Sequence, residues 1–176
     1  MPVYVALLRA VNVGGTGKLA MADLMAACDE LGFAAARTYM QSGNVVFRSD
    51  LPEAAVQAKL EQALAARMGK APDVLLRSRR QLEDAAVKAG RLFDAKPNFL
   101  LITFLPEPPA ADAFERLVAP DGEEVRIDGR EVYIHYPNGS GRSKLKVPAL
   151  RPGTARNLNT VRKLAEMAAA MEDGAA

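Results

Sequence analysis

The chain has no tryptophan, one cysteine, one histidine, and only 6% aromatic residues. Each shortage removes a class of chemistry. The single Cys28 cannot close an internal disulfide. It falls on an apolar helical stripe with Met21, Leu24, Met25 and Leu31, which reads as a small buried hydrophobe. One histidine rules out a multi-histidine metal site. Any Ser-His-acid triad would have to use His135, and alternation along its strand puts His135 with Tyr133 on one face and Val132, Ile134 and Tyr136 on the other. A surface or edge histidine is expected there. No carboxylate cluster suggests two-metal chemistry, so no metal is expected. Sparse aromatics without a ribonucleoprotein motif give little basis for stacking single-stranded RNA. No apolar run approaches the ~18 residues of a membrane span. The opening residues, Met1 to Arg9, lack a basic n-region and a cleavage site, so the expected compartment is the cytoplasm.

What is present is an ordinary globular composition over 176 residues, 49% apolar and 25% charged. That is enough apolar material for a core without metal or disulfide staples. The net charge is only +2, too small for a dedicated nucleic-acid coat. Its distribution is uneven. Pro137 to Lys163 carries Arg142, Lys144, Lys146, Arg151, Arg156, Arg162 and Lys163 with no acid, so this segment is +7 and the remainder −5. Such asymmetry marks either an anionic partner, nucleic acid included, or a solvated face balanced elsewhere in space.

Periodicity and turn chemistry order the first half as β-α-β-β-α-β. Val3 to Leu8 reads as a central strand, and 21 to 31 as a helix closed by Gly32. Strands follow at Ala36 to Met40 and Val45 to Arg48, with Gln41-Ser-Gly-Asn44 as their turn and Gly43 and Asn44 supplying positive φ. Asp50 is expected to cap a helix running to Met68 and stopped by Gly69, before a strand at Val74 to Arg77. Ser78 and Gln81 form a capping box for a helix to about Lys88. Beyond it come a strand at Phe99 to Leu105, a helix around Asp112 to Val118, and a hairpin, 124 to 136, across Asp128-Gly129. A helical turn near Ser143 to Lys146 and a last helix from about Asn157 complete the order. The second half thus repeats β-α-β-β, with a helix and a short strand behind it. The expected fold is α/β (α+β): tandem degenerate ferredoxin-like β-α-β-β-α-β units with antiparallel sheets, 1–79 and 80–176, able to pack as one domain.

Three polar segments stand out from this aliphatic background. In the first, Arg9 precedes Asn12-Val-Gly-Gly-Thr-Gly-Lys18, where Gly14 and Gly15 would let backbone N–H groups converge on an anion ahead of a helix start. Neither a P-loop nor a dinucleotide fingerprint is complete there, so no cofactor is expected. In the second, Gln41 and Ser42 add side-chain donors beside Asn44. In the third, Tyr136-Pro-Asn-Gly-Ser-Gly-Arg-Ser-Lys144 sets small residues beside Arg142, Ser143 and Lys144, suited to clamping an oxyanion. Asn157 reads as an N-cap, with Arg156 just before the same helix start.

Four stretches, Leu8-Arg-Ala-Val-Asn-Val-Gly-Gly15, Thr38-Tyr-Met-Gln-Ser-Gly-Asn-Val-Val-Phe47, Tyr136-Pro-Asn-Gly-Ser-Gly-Arg-Ser-Lys-Leu145 and Thr154-Ala-Arg-Asn-Leu-Asn-Thr-Val161, make the chain resemble the bacterial domain-of-unknown-function family 1697. The family more often has Arg-Gly-Ile-Asn where this chain reads Arg9-Ala-Val-Asn12, and an aromatic where Leu158 stands. The resemblance implies a small α/β protein built of ferredoxin-like units, and no activity or catalytic residues.

The leading functional expectation is a binding module for a small anionic ligand, such as a nucleotide or phosphorylated metabolite. Arg9, Asn12, Gly14, Gly15, Gln41, Ser42, Asn44, Tyr136, Arg142, Ser143, Lys144, Arg156 and Asn157 would line one shared cleft. An enzyme on a phosphorylated or acyl substrate is the second reading, with Lys144 or Tyr136 moving the proton. The third is an interaction module or homo-oligomer scaffold.

Overall fold

The structure, a computed structural model, describes residues 1–174 apart from Arg116. Contacts divide the chain into two units, Met1–Leu82 with Leu164–Ala176, and Glu83–Lys163.

The first unit is built on an antiparallel sheet in the order β2-β3-β1-β4. Its strands are β1 (Val3–Leu8), β2 (Ala34–Thr38), β3 (Asn44–Arg48) and β4 (Val74–Arg77). Helix α1 (Met21–Glu30) joins β1 to β2, and α2 (Glu53–Met68) joins β3 to β4. Alternation assigns one face to Ala6, Leu8, Val45, Phe47, Val74 and Leu76. These pack with Leu24, Ala27 and Cys28 of α1 and Val56, Leu60 and Leu64 of α2 into one buried cluster. Within it the rings of Phe33 and Phe47 stack at 4.5 Å. Val5, Leu7, Val46 and Leu75 on the opposite face are buried as well. This is why the central strands read as continuous apolar runs rather than alternating ones.

The helix ends follow their local chemistry. Gly32 takes φ 74, its N–H reaching Asp29 O, while Phe33 N–H reaches Cys28 O. That pair of bonds closes α1 in a Schellman motif. Gly69 closes α2 at φ 78. Asp50, expected to cap α2, does not: Pro52 holds the cap position without a side-chain bond, and Asp50 lies 3.6 Å from the N-terminal ammonium. The strand expected at 36–40 lies at Ala34–Thr38, with a register shift between Ala34 and Arg37 where Ala35 sits at φ 55.

The second unit repeats the sheet order as β6-β7-β5-β8. Here β5 is Leu100–Phe104, β6 Glu124–Asp128, β7 Glu131–His135 and β8 Thr154–Asn157. The Asp128-Gly129 turn joins β6 to β7 as expected, with Gly129 at φ 60. Helix placement does not repeat. Helix α3 (Arg79–Leu92) precedes β5 and α4 (Leu158–Glu172) follows β8. The helix expected at 112–118 is absent from the described residues: 111–115 form turns, and Arg116 lies outside the described residues. Short 3₁₀ turns at Ser140–Arg142 and Pro148–Leu150 occupy the connection from β7 to β8, in place of the helical turn expected at 143–146. One sheet face packs Val132 and Ile134 with Leu105, Phe114, Leu145 and Leu150. On the other, His135 meets Phe93 at 5.8 Å between ring centroids.

Cys28 is fully buried, and that burial, with Asp29 beside it, pushes its thiol up to about 12. The nucleophilic thiolate is therefore almost absent at neutral pH. Cys28 is expected to resist a maleimide or disulfide reagent in the folded protein and to react promptly once denaturant is added. Fast stoichiometric labelling without denaturant would contradict its place in the core.

Candidate functional site

The antiparallel ladder between β1 and β4 does not stop at the strand ends. Leu8 faces Val74, and one residue further on Arg9 N–H donates to Asp73 O at 2.9 Å. This bond fixes Arg9 and Asp73 opposite one another, and their side chains meet at 3.3 Å from Nη1 to Oδ2. They open onto a cleft of about 370 Å³, also lined by Ala10, Thr16, Gly17, Met68, Lys70, Ala71 and Pro72. Two cations and one acid therefore share a pocket whose other walls are largely apolar.

The glycine-rich loop that lends Thr16 and Gly17 to this cleft is a miniature β-hairpin. Val13 and Thr16 exchange N–H to O bonds at 3.2 and 3.0 Å, and Asn12 N–H donates to Gly17 O at 2.9 Å. Gly14 and Gly15 take φ 58 and 78, the two successive positive values of a type I′ turn. Their conformational freedom thus serves the turn, and the N–H groups of Asn12, Val13 and Thr16 are spent inside the hairpin. Gly17 is required for a different reason: a Cβ there would lie 2.2 Å from Ala10 O.

Asn12 holds the hairpin in place. Its Nδ2 donates to Leu19 O at 2.9 Å and to Gln41 O at 2.7 Å, and its Oδ1 accepts from Leu19 N–H at 2.9 Å. Both amide protons are committed, so Asn12 ties the 10–19 loop to the β2–β3 turn and offers a ligand little. Asn44 plays a similar part. It is fully buried, and its Nδ2 donates to Tyr39 O at 2.7 Å and Ser42 Oγ at 3.1 Å. Positive φ in this turn belongs to Met40 and Gly43, not to Asn44. Gly43 is also sterically required, because a Cβ would come within 2.8 Å of Leu8 Cβ. Gln41 and Ser42 are exposed on the turn.

The remaining residues singled out in the sequence lie in the second unit. Tyr136, Arg142 and Ser143 surround Glu123, an acid that sequence reasoning missed, in a water-sized hollow of about 10 Å³. Ser143 Oγ–H donates to Glu123 Oε1 at 2.6 Å, and Asp121 N–H to Oε2 at 3.0 Å. The Ser143 bond, helped by backbone N–H groups and opposed by burial, holds the Glu123 carboxyl below its ordinary range. Burial, with Glu123 nearby, raises the Tyr136 phenol. An anion is thus already built into this loop, and it takes the Ser143 hydroxyl that an oxyanion would have used. Arg142 and Lys144 are exposed beside it.

Arg156 stands on β8, immediately before the cap of α4 as expected, and only 7% of it is exposed. Its Nη1 donates to Thr154 Oγ1 at 2.5 Å and to Ala155 O at 2.9 Å. Burial brings its guanidinium down to about 10, still protonated at neutral pH. Arg77 at the end of β4 is buried too, its Nη1 donating to Leu76 O at 2.9 Å. No local signal in the sequence marks its burial. Asn157 accepts from Thr160 N–H at 2.9 Å and caps α4, as its position suggested.

Among the described residues no cluster of His, Cys, Asp and Glu could hold a metal ion, and no helix is long and apolar enough to cross a membrane.

Comparison with known proteins gives a consistent picture. The chain is similar to a solved structure, the conserved bacterial protein SP0830 from Streptococcus pneumoniae, with 26% sequence identity and a TM-score of 0.77 over 95% of this chain and 98% of that one. No curated protein matches. Residues 1–133 match the sequence model of a family described as protein of unknown function, DUF1697, and by that match, over most of its length, the chain belongs to the DUF1697 family.

Proposed function

We propose that the protein is a binding module for a small anionic ligand, a nucleotide or phosphorylated metabolite, and that the cleft beside Arg9 receives it. The observation that carries this reading is the pairing of two cations, Arg9 and Lys70, in a cleft of about 370 Å³. That volume falls within the range of small-molecule sites. Arg9 offers a planar fork suited to two phosphate oxygens, and Lys70 adds a compact charge. Met68, Ala71, Pro72 and Ala10 supply apolar wall for the rest of the ligand. The hairpin that lends Thr16 and Gly17 to the cleft is fixed by Asn12, so little ordering entropy need be lost on binding.

The test is a thermal-shift screen against nucleotides and sugar phosphates, followed by calorimetric titration of the strongest ligand. A specific ligand raises apparent stability by mass action. Arg9→Ala is expected to weaken its binding by roughly tenfold or more, and Lys70→Ala by a smaller factor. The fold should tolerate Arg9→Ala, because its ion pair with the exposed Asp73 is only partly buried and such pairs contribute about 0–1 kcal/mol. Wild-type affinity in Arg9→Ala would remove this cleft from consideration.

A further inference from the structure

We infer that the connection from β7 to β8 is a docking surface for a nucleic-acid strand, gripped by its phosphates through Arg142, Lys144 and Lys146. These residues belong to the second unit, and the inference is independent of the cleft beside Arg9.

Backbone geometry comes first. Ser143 takes φ −69 and ψ 139, and Val147 φ −130 and ψ 97, so the stretch between them begins and ends extended. Its inward side chains hold it to the unit. Ser143 Oγ–H donates to Glu123 Oε1 at 2.6 Å, and Leu145 packs with Val132 and Ile134. Neighbours in an extended chain alternate sides, so Lys144 and Lys146 turn away from that core, and both are exposed. Side chains two apart on such a chain stand about 6.5–7 Å from one another. Arg142, at the end of the preceding 3₁₀ turn, adds an exposed cation two residues earlier.

The charge on this row is not balanced locally. Among the described residues none of the three cations makes an ion pair. Glu123, the buried acid beneath them, is taken by Ser143 and by Asp121 N–H. Pro137 to Lys163 contains no acid at all. The form of the surface then selects the partner. The hollow beside Arg142 is about 10 Å³, room for a water only. A compact anion would stay in solvent, where single ionic contacts contribute little. A strand with one phosphate per nucleotide meets the row as a line of charges, engages the cations together and releases a condensed counterion at each. Residues 137–153 contain no aromatic for a base to stack on, so the grip is on the backbone and indifferent to sequence.

The experiment is fluorescence anisotropy of a labelled oligothymidylate titrated with the full chain over a range of salt concentrations. Three phosphate contacts at roughly −0.7 each give an expected slope of about −2 in log K against log salt, a loss of roughly 20-fold between about 50 and 200 mM. The double variant Lys144→Gln with Lys146→Gln is expected to bind roughly tenfold more weakly or worse, with a slope near −0.7. Lys144→Arg with Lys146→Arg should bind as wild type does, since the charges are kept. Thermal unfolding is expected to be the same for all, because the altered side chains are exposed. Arg9→Ala should leave oligonucleotide binding unchanged, and a loss there would move the strand to the cleft and overturn this assignment. So would wild-type affinity or slope in the glutamine variant, or no binding by wild type at low salt. A peptide of alternating glutamate and serine with the same number of charges is expected to bind several-fold more weakly. Equal affinity for that peptide would make the partner an acidic protein segment and overturn the nucleic-acid reading.

Discussion

Gly17→Ala is expected to destabilise the protein by roughly 2–5 kcal/mol, through two separable terms. Gly17 sits at φ 63, in the left-handed region where an alanine costs about 1–2 kcal/mol. The new Cβ would also fall 2.2 Å from Ala10 O and 3.3 Å from Ala10 C. Those are backbone atoms, so no rotamer change relieves the clash, and the hairpin must move off Ala10. Because both residues line the cleft, its shape should change with it. Gly15→Ala provides the comparison. Gly15 has a similar φ of 78, but a Cβ there would meet nothing within 4 Å. It should show the conformational cost alone, roughly 1–2 kcal/mol. Denaturant unfolding of both variants measures the difference. Equal losses at the two positions would mean that the close approach of Gly17 to Ala10 is not a constraint on the fold.

Asn12→Ala is expected to cost roughly 2–4 kcal/mol. Three hydrogen bonds are lost, each contributing about 0.5–1.5 kcal/mol, and the Leu19 N–H is left without its acceptor. The residue sits at φ 53, which asparagine tolerates better than alanine. Asn12→Asp separates these causes. Aspartate also tolerates the left-handed region, yet it cannot donate to Leu19 O or Gln41 O and would set a negative charge against both carbonyls. If the hydrogen bonds matter, Asn12→Asp should be nearly as destabilised as Asn12→Ala, with faster amide exchange at Val13, Thr16 and Leu19. Near-native stability in the aspartate variant would reduce Asn12 to a conformational role.

The two variants bear on how the candidate site was legible. Of the segments that stand out in the sequence, Arg9 and the glycine-rich hairpin border a cleft. The roles the sequence suggested were partly different. Gly14 and Gly15 make a turn, and Asn12 and Asn44 spend their amides on backbone carbonyls. Ser143 serves an internal carboxylate. A polar side chain at a turn looks the same in sequence whether its partner is a ligand or a carbonyl far along the chain. Gln41 O is 29 residues from Asn12, and Asp73 is 64 from Arg9.

What the sequence determined by itself are the features whose causes lie within a few residues. The Ser78–Gln81 capping box is one, with Ser78 N–H on Gln81 Oε1 at 2.8 Å and Gln81 N–H on Ser78 Oγ at 3.2 Å. The Schellman stop at Gly32, the left-handed stop at Gly69, the Gly129 turn and the cap at Asn157 are others. Each is a backbone requirement met by a neighbour, so composition and spacing suffice. Asp50 failed as a cap because its cap position went to Pro52. The stretch expected as a helix at 112–118 contributes Phe114 to the core from a turn instead. The burial of Arg77, Glu123 and Arg156, and the meeting of Arg9 with Asp73, were decided only by strand pairing and packing across long separations. Those set the local dielectric and the available partners, and with them whether a charged side chain becomes part of the core or the wall of a site.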